Sequence, residues 1–322
     1  MSRLDYIDYC RGLALLSIIF AHTVGYSGEL LKIRTFDVCF FVLISGYVTT
    51  VKLNLYDYFT KRSLRLVKPV WFFLTVYFSI WYLLSNLPNI HFTATIGNIL
   101  GSYLLLNGIG FVWVIRVFMI VGFVGYISQL LWAKTGKRAF FSWVLLLAAG
   151  YFVTYWISPK IHYWLYLEPL PYLLPYFLGI LLRRYSDEIV KRLVLLVGIN
   201  IVLLVTCFTL YVEFSEYFHK YPPSFMYIIY GCCCSLFLLL SLKKIWVLGI
   251  ELNFLRYLGI NSMALYLWHI PMAKLYEKDI FQAPVLVQFF SMIIFSVVSV
   301  FLMNRFILFL KKKSDLSFSG LM

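Results

Sequence analysis

Residues 285–310 have the sequence VLVQFFSMIIFSVVSVFLMNRFILFL, in which Arg305 is the only charged side chain. An α-helix rises about 1.5 Å per residue, so a helix of this length exceeds the roughly 30 Å hydrocarbon core of a bilayer. The whole chain has the same character, because 62% of its 322 residues are hydrophobic and only 13% are charged. Soluble domains are about 45–50% apolar and about 25% charged. The composition therefore excludes a soluble globular protein and predicts a membrane protein.

Apolar runs recur along the chain and predict an all-α, polytopic transmembrane helical bundle of about ten spans. The predicted spans are 8–26, 35–51, 69–86, 110–133, 139–157, 170–183, 193–212, 224–242, 257–273 and 285–310. Segment 92–108 is also apolar, but Gly97, Gly101 and Gly108 interrupt it. We interpret it as a re-entrant or interfacial piece rather than a crossing. No linker or repeat divides residues 1–322, so a single transmembrane domain is expected.

The net charge of +14 invites comparison with nucleic-acid-binding proteins. However, the basic residues stand at the ends of apolar runs rather than on one polar face, which is the pattern of a protein whose partners are membrane lipids. With the N-terminus inside, the predicted cytoplasmic segments carry nineteen Lys and Arg and the outer segments carry six. This asymmetry obeys the positive-inside rule. It excludes nucleic acid as a partner and predicts that both termini are cytoplasmic.

Titratable and charged side chains within the predicted spans are costly in lipid and therefore mark functional sites. Arg11 and His22 are 11 residues apart on the first span, which is three turns plus about 20°, so they share one helix face about 16 Å apart. His269 lies in the ninth span, with Tyr266 three residues before it, and Arg116 lies near the outer end of the fourth. The topology puts His22, His269 and Arg116 at similar depth. A shared outer polar pocket is predicted, and the alternative is that each is an independent interfacial anchor.

Arg62 and Arg65 follow the second span and would share a helix face at a spacing of three residues. Their planar guanidinium groups suit phosphate oxygens. Like Arg11, they belong to the predicted cytoplasmic side, where phosphorylated donors are found. The alternative interpretation is ordinary positive-inside charge.

Four short motifs follow one another along the chain. They are DYCRG at 8–12 with His22 after it, FFVLISG at 40–46, RSLR at 62–65 with Pro69 after it, and LGINSMALYLWHIP at 258–271. In this order they resemble the motifs of the acyltransferase-3 family, the membrane-bound acyltransferases that modify bacterial surface glycans. The family often has an acidic residue soon after the Trp of its middle motif, whereas here Trp113 is followed by Arg116.

The resemblance implies a role for each matched residue. His22 would be the catalytic base, or at least a residue essential to transfer, and Arg11, Arg62 and Arg65 would hold the phosphates of the donor. We group Ser45, from the second motif, with these donor-binding residues. Acyl transfer also needs a group that stabilises the oxyanion, for which Arg116, Tyr266 and His269 are the candidates. No metal site is expected.

The sequence thus predicts an O-acyltransferase of the bacterial inner membrane. Its expected donor is cytoplasmic acyl-CoA, with acetyl-CoA the family's commonest choice, and its expected acceptor is a hydroxyl of a cell-surface or lipid-linked glycan such as O-antigen or exopolysaccharide. Two alternatives remain open at this stage. A transporter or flippase for a lipid-linked glycan would also place Arg and His within its spans, whereas a passive membrane scaffold would need none of them.

Overall fold

A computed structural model describes residues 5–23, 34–49, 54–85, 95–106, 109, 111–184, 220, 222–277 and 282–319. Every regular element of that part of the chain is a helix, apart from one β-bridge between Lys220 and Pro223. The helices are α1 (Asp5–Ala21), α2 (Asp37–Val48), α3 (Leu55–Leu84), α4 (Ile96–Tyr103), α5 (Trp113–Ile157), α6 (Pro159–His162), α7 (Leu173–Arg184), α8 (Phe225–Val247), α9 (Asn253–Ile260), α10 (Ser262–Trp268), α11 (Ile270–Glu277) and α12 (Val285–Ser319). A π-helical turn at Tyr163–Leu167 and a 3₁₀ turn at Leu170–Tyr172 connect α6 to α7.

Five helices of the described chain are long and apolar enough to cross a membrane: Leu55–Leu83, Trp113–Gly136, Pro159–Arg183, Met226–Val247 and Val285–Arg305. On α12, large apolar side chains such as Leu286, Ile294 and Leu302 are each more than half exposed. Exposed apolar surface of this kind requires lipid as its solvent. The protein is therefore a multi-pass membrane protein. The predicted span 193–212 lies outside the described residues, and the count of ten spans stays a prediction.

Two predicted spans, 69–86 and 257–273, differ clearly from the observed helices. The span predicted at 69–86 belongs to α3, which begins at Leu55, where the Asn54 side chain accepts a hydrogen bond from the backbone of Asp57 at 2.7 Å, and which continues through Pro69. The span predicted at 257–273 is divided into α9, α10 and α11 by breaks at Asn261 and His269. Hydropathy averaged over a whole span does not show such breaks, because a few polar residues change the mean only slightly.

The predicted spans 110–133 and 139–157 are the two arms of α5. They meet at Gly136, where φ is 73° and ψ is −162°, a conformation that favours glycine. Segment 92–108 contains α4, whose eight residues extend only about 12 Å. That length is far short of a bilayer crossing.

The crossing of α1 and α9 brings the two backbones into direct contact at two glycines. A Cβ atom at Gly12 on α1 would collide with the carbonyl of Leu255 on α9, and one at Gly259 would collide with the carbonyl of Asp8. Glycine is required at both positions because any side chain would separate the two helices. The α1–α9 crossing thereby connects the first motif to the last and fixes the position of the histidine on each.

Candidate functional site

His22 and His269 meet at the C-terminal ends of α1 and α10. His22 is the first residue after α1, and His269 occupies the break between α10 and α11, where its side chain is fully buried. The Nδ1 atom of His22 lies 2.7 Å from the Nε2 atom of His269, and the ring planes are within 3° of parallel. Two of the residues expected in a shared pocket are therefore hydrogen-bonded to each other.

The hydrogen bonds of His269 determine the tautomers of both neutral rings. Its Nδ1 contacts the backbone carbonyl oxygen of Tyr266, which can only accept a hydrogen bond, so Nδ1 carries the proton. The Nε2 of a neutral His269 is then an acceptor, and the Nδ1 of His22 must be the donor across the 2.7 Å contact. This arrangement of donors and acceptors leaves the lone pair of neutral His22 on Nε2, from which a general base can accept a proton.

Phe111 packs against His22, and Lys274 packs against Phe111. The Phe111 ring centroid lies 4.3 Å from that of His22, and its backbone carbonyl accepts a hydrogen bond from the Tyr266 hydroxyl. The Nζ of Lys274 lies 4.7 Å from the Phe111 centroid and 2.5 Å from a carboxylate oxygen of Glu277. Sequence reasoning missed both residues, because Phe111 is one of 30 phenylalanines and Lys274 was counted only as an outer charge.

Arg116 is directed to a carboxylate rather than to the histidines. Its guanidinium forms a buried ion pair with Glu168 and donates hydrogen bonds of 2.8 Å to the carbonyls of Leu105 and Leu106. The Trp164 ring lies against the same guanidinium at 5.9 Å. Glu168 was not singled out in the sequence, since nothing in a pattern of spans indicates which outer carboxylate meets a buried arginine.

The structure separates the two arginines of the RSLR motif. Arg62 extends inward from α3, where its guanidinium donates to Ser45 Oγ at 3.3 Å, to the Phe118 carbonyl at 2.7 Å and to the Tyr58 hydroxyl at 3.1 Å. Its Nε is buried without a hydrogen-bond partner. Arg65, one turn later, is exposed. Arg62 and Ser45, both predicted to bind the donor, therefore contact each other, while Arg65 is separate from them.

Arg11 pairs with the buried carboxylate of Asp8 at 3.1 Å and keeps 23% of its own side chain exposed. Eleven residues separate Arg11 from His22 along α1, which is about 16 Å. The same number separates Arg62 from Phe73 along α3, and the Phe73 ring packs edge-on against Trp268, next to His269. Both arginines thus lie roughly 16 Å from the histidine pair along their own helices.

Arg11 and Arg62 lie toward the same end of the bundle. Ser45, which Arg62 contacts, is two residues before Tyr47 on α2, and the Tyr47 hydroxyl is 2.7 Å from that of Tyr6 at the start of α1. The bundle therefore has one basic half, and the histidine pair occupies the opposite half.

Apolar helices around a hydrogen-bonded histidine pair define a multi-pass membrane protein with polar groups between its helices. The family model of the acyltransferase domain that corresponds to acyltransferase 3 matches residues 4–305, so the chain belongs to the acyltransferase-3 family. It is an acyltransferase of the membrane-bound type. No curated protein and no solved structure matches the chain.

Proposed function

We propose that the protein transfers an acyl group, acetyl in the first instance, from cytoplasmic acyl-CoA to a hydroxyl of a cell-surface or lipid-linked glycan. It would do so in the bacterial inner membrane, surrounded by lipid, with both termini in the cytoplasm. The observation that carries the proposal is the His22–His269 hydrogen bond, which leaves the His22 lone pair on Nε2. A general base needs its lone pair at a defined nitrogen, whereas a passive scaffold has no need of a histidine whose tautomer is fixed in this way.

In this mechanism His22 is the general base. Its Nε2 takes the proton of the acceptor hydroxyl while that oxygen attacks the thioester carbonyl carbon, which forms the new C–O bond and a tetrahedral oxyanion. Collapse of the oxyanion breaks the C–S bond, and the departing thiolate of CoA takes the proton back from His22. The products are the O-acylated glycan and CoA, and the enzyme returns to its starting protonation state.

His269 acts through His22 and is a positioning residue. As His22 becomes an imidazolium, its Nδ1–H strengthens its hydrogen bond to the Nε2 of His269, which the Tyr266 carbonyl keeps in the accepting tautomer. Orientation of the base by a second group is a general feature of such sites. Because its Nε2 faces His22, His269 is better suited to this role than to that of an oxyanion donor.

Lys274 is a cation close to His22. Its Nζ is 4.7 Å from the Phe111 centroid, which is 4.3 Å from the His22 centroid, so it lies within about 9 Å of the base. We assign it the orientation of the glycan acceptor, since its ammonium offers three hydrogen-bond donors to hydroxyl, carboxylate or phosphate oxygens. The Tyr266 hydroxyl donates a hydrogen bond to the backbone carbonyl of Phe111 and would hold Phe111 in place beside Lys274.

Acyl-CoA would bind from the basic half of the bundle, which faces the cytoplasm in the proposed topology. Arg65 and Arg11 are at least partly exposed and would contact the phosphates of CoA, whereas Arg62 and Ser45 lie deeper. The thin pantetheine arm would then extend past Arg62 toward His22. The roughly 16 Å between these levels suits a long and flexible arm.

The decisive experiment uses purified protein in liposomes with radiolabelled acetyl-CoA and a glycan acceptor. Label in the glycan with the native protein, and none with His22→Ala of equal expression, is the expected result. Movement of the glycan across the bilayer without acetyl-CoA, with no label in it, would favour the transporter instead. Equal labelling by the variant would exclude His22 as the base.

A further inference from the structure

The ion pair between Arg116 and Glu168 connects two parts of the chain at the outer side of the bundle. Both side chains are buried, with exposures of 7% and 4%. Arg116 belongs to the first turn of α5, and Glu168 follows the π-helical turn between α6 and α7. Buried ion pairs add little net stability, since desolvation offsets their attraction, and some serve to specify one local conformation instead. The position of this pair therefore requires an explanation other than stability.

Arg116 uses its second terminal nitrogen to hold the end of α4. Leu105 has a φ of 60°, an unusual left-handed conformation for leucine, and its N–H bonds to the carbonyl of Ser102 at 3.1 Å. Leu106 likewise bonds back to Gly101 at 2.9 Å. These bonds turn the chain sharply, and Arg116 donates to the two carbonyls that the turn leaves pointing inward, at 2.8 Å each. The hydrogen bonds from Arg116 thus stabilise the strained turn at Leu105.

Phe111, which packs against His22, comes soon after this turn in the chain. Phe111 follows Leu105 by six residues, and its ring lies 4.3 Å from that of His22. The backbone of Phe111 is held from the other side by the Tyr266 hydroxyl. Arg116 itself is five residues after Phe111, so the arginine restrains both ends of the segment that carries this phenylalanine.

We infer that the Arg116–Glu168 pair is a positioning device that, through Phe111, holds His22 in its catalytic orientation. Arg116 then acts by fixing a backbone segment and makes no contact with the acyl group. The inference rests on the proposed role of His22 as the base. It explains why an arginine stands shortly after Trp113: its carboxylate partner comes from position 168, on the next connection between helices.

A double-mutant cycle between Arg116 and Phe111 tests this inference. Arg116→Lys keeps the charge but cannot reach Glu168 and two carbonyls with the same geometry, so kcat should fall about tenfold while the KM for acyl-CoA stays within twofold. Phe111→Leu should also lower kcat. If the arginine acts through Phe111, the double variant should be no worse than the poorer single variant. Multiplied losses would overturn the inference.

Asp37 supplies the matched control, since it forms another buried ion pair, 3.3 Å from Lys220. Asp37→Asn perturbs a buried charge without disturbing the Leu105 turn, so its effect should multiply with that of Phe111→Leu. If that pair of variants also fails to multiply, the cycle reports general destabilisation and the inference is rejected.

A second measurement does not depend on activity. Diethyl pyrocarbonate acylates unprotonated imidazole, and peptide mass spectrometry measures its rate at His22 alone. Arg116→Lys should raise that rate at least threefold, because the Phe111 ring no longer covers His22. An unchanged rate overturns the inference, even where His22→Ala has abolished transfer and the role of the base stands. A raised rate together with an active His22→Ala variant would show that the ion pair holds Phe111 against His22, but it would reject the role of His22 as the base and with it the catalytic part of this inference.

Discussion

The Nδ1 atom of His22 lies 2.7 Å from the Nε2 atom of His269, although 247 residues separate them in the chain. His22 directly follows the first helix of the bundle. His269 lies between the short helices α10 and α11, toward the C-terminal end of the chain. The α1–α9 crossing, with Gly12 against Leu255 and Gly259 against Asp8, holds the two chain segments together. The first and last motifs of the chain thus form one site.

Variants at His22 and His269 should differ in a way that separates the base from its positioning residue. His22→Ala should lower kcat at least 10³-fold, because it removes the base. His269→Ala should lower kcat about 10²-fold, with KM values within twofold, because His22 loses the acceptor of its Nδ1–H. Steady-state kinetics with acetyl-CoA and purified glycan would measure both effects.

His269→Gln provides the control for that pair. Its amide oxygen can occupy the place of Nε2 and accept the same hydrogen bond, so at least tenfold of the lost kcat should return. If the glutamine variant is as inactive as the alanine variant, orientation of His22 by a hydrogen bond is not the function of His269.

Arg62 and Arg65 should also respond differently to substitution. Arg65 is exposed, so Arg65→Gln should raise the KM for acyl-CoA several-fold and leave kcat and folding unchanged. Arg62 is enclosed by Ser45, Tyr58 and Phe118, so Arg62→Gln leaves carbonyl and hydroxyl partners unsatisfied and should reduce the folded fraction as well as kcat. Thermal unfolding in detergent, together with acyl-CoA titrations, measures both. Equal effects of the two substitutions would contradict this division of roles.

Much of the fold could be predicted from hydropathy and charge. Lipid allows only helices with all backbone groups bonded or closed barrels, so long apolar runs had to be helical. The break of the ninth span into α9, α10 and α11 could not be predicted, because Asn261, Ser262 and His269 are too few polar residues to divide an apolar run. The extension of α3 back to Leu55 was equally hidden, since residues 55–68 are too polar to belong to a predicted span.

The sequence predicted that the two histidines lie at a similar level in the bundle, but it did not predict which side chains they and the arginines contact. Helical periodicity and topology placed His22, His269 and Arg116 at one level, and the structure brings the two histidines into contact. The partner of Arg116 is 52 residues away in the chain, and no periodic pattern relates the two positions. Arg62 and Arg65 differ by about 60° around the helix, which is enough for one to lie between helices and the other outside. Such differences depend on tertiary contacts with other helices, which a single sequence does not specify.

The crossing of α2 and α7 predicts a strict requirement for glycine. A Cβ atom at Gly46 would collide with the backbone carbonyl of Tyr176, which no side-chain movement can relieve. Gly46→Ala should therefore destabilise the protein by about 1–3 kcal/mol, as overpacking does in well-packed cores. Gly97→Ala on α4 is the control, because its Cβ would meet only the Thr95 hydroxyl, at 3.8 Å. Thermal unfolding that gave the two variants equal midpoints would contradict the observed crossing.

Lys274 is expected to determine how well the acceptor binds. Its ammonium is within about 9 Å of the His22 ring and packs against Phe111, so Lys274→Gln should raise the KM for the glycan about tenfold and leave the KM for acyl-CoA unchanged. Glu277→Gln, which removes the partner of the same lysine, should not raise the glycan KM, because the ammonium stays in place. Kinetics with each substrate varied in turn make the distinction. A rise in the acyl-CoA KM with Lys274→Gln would instead assign this lysine to the donor.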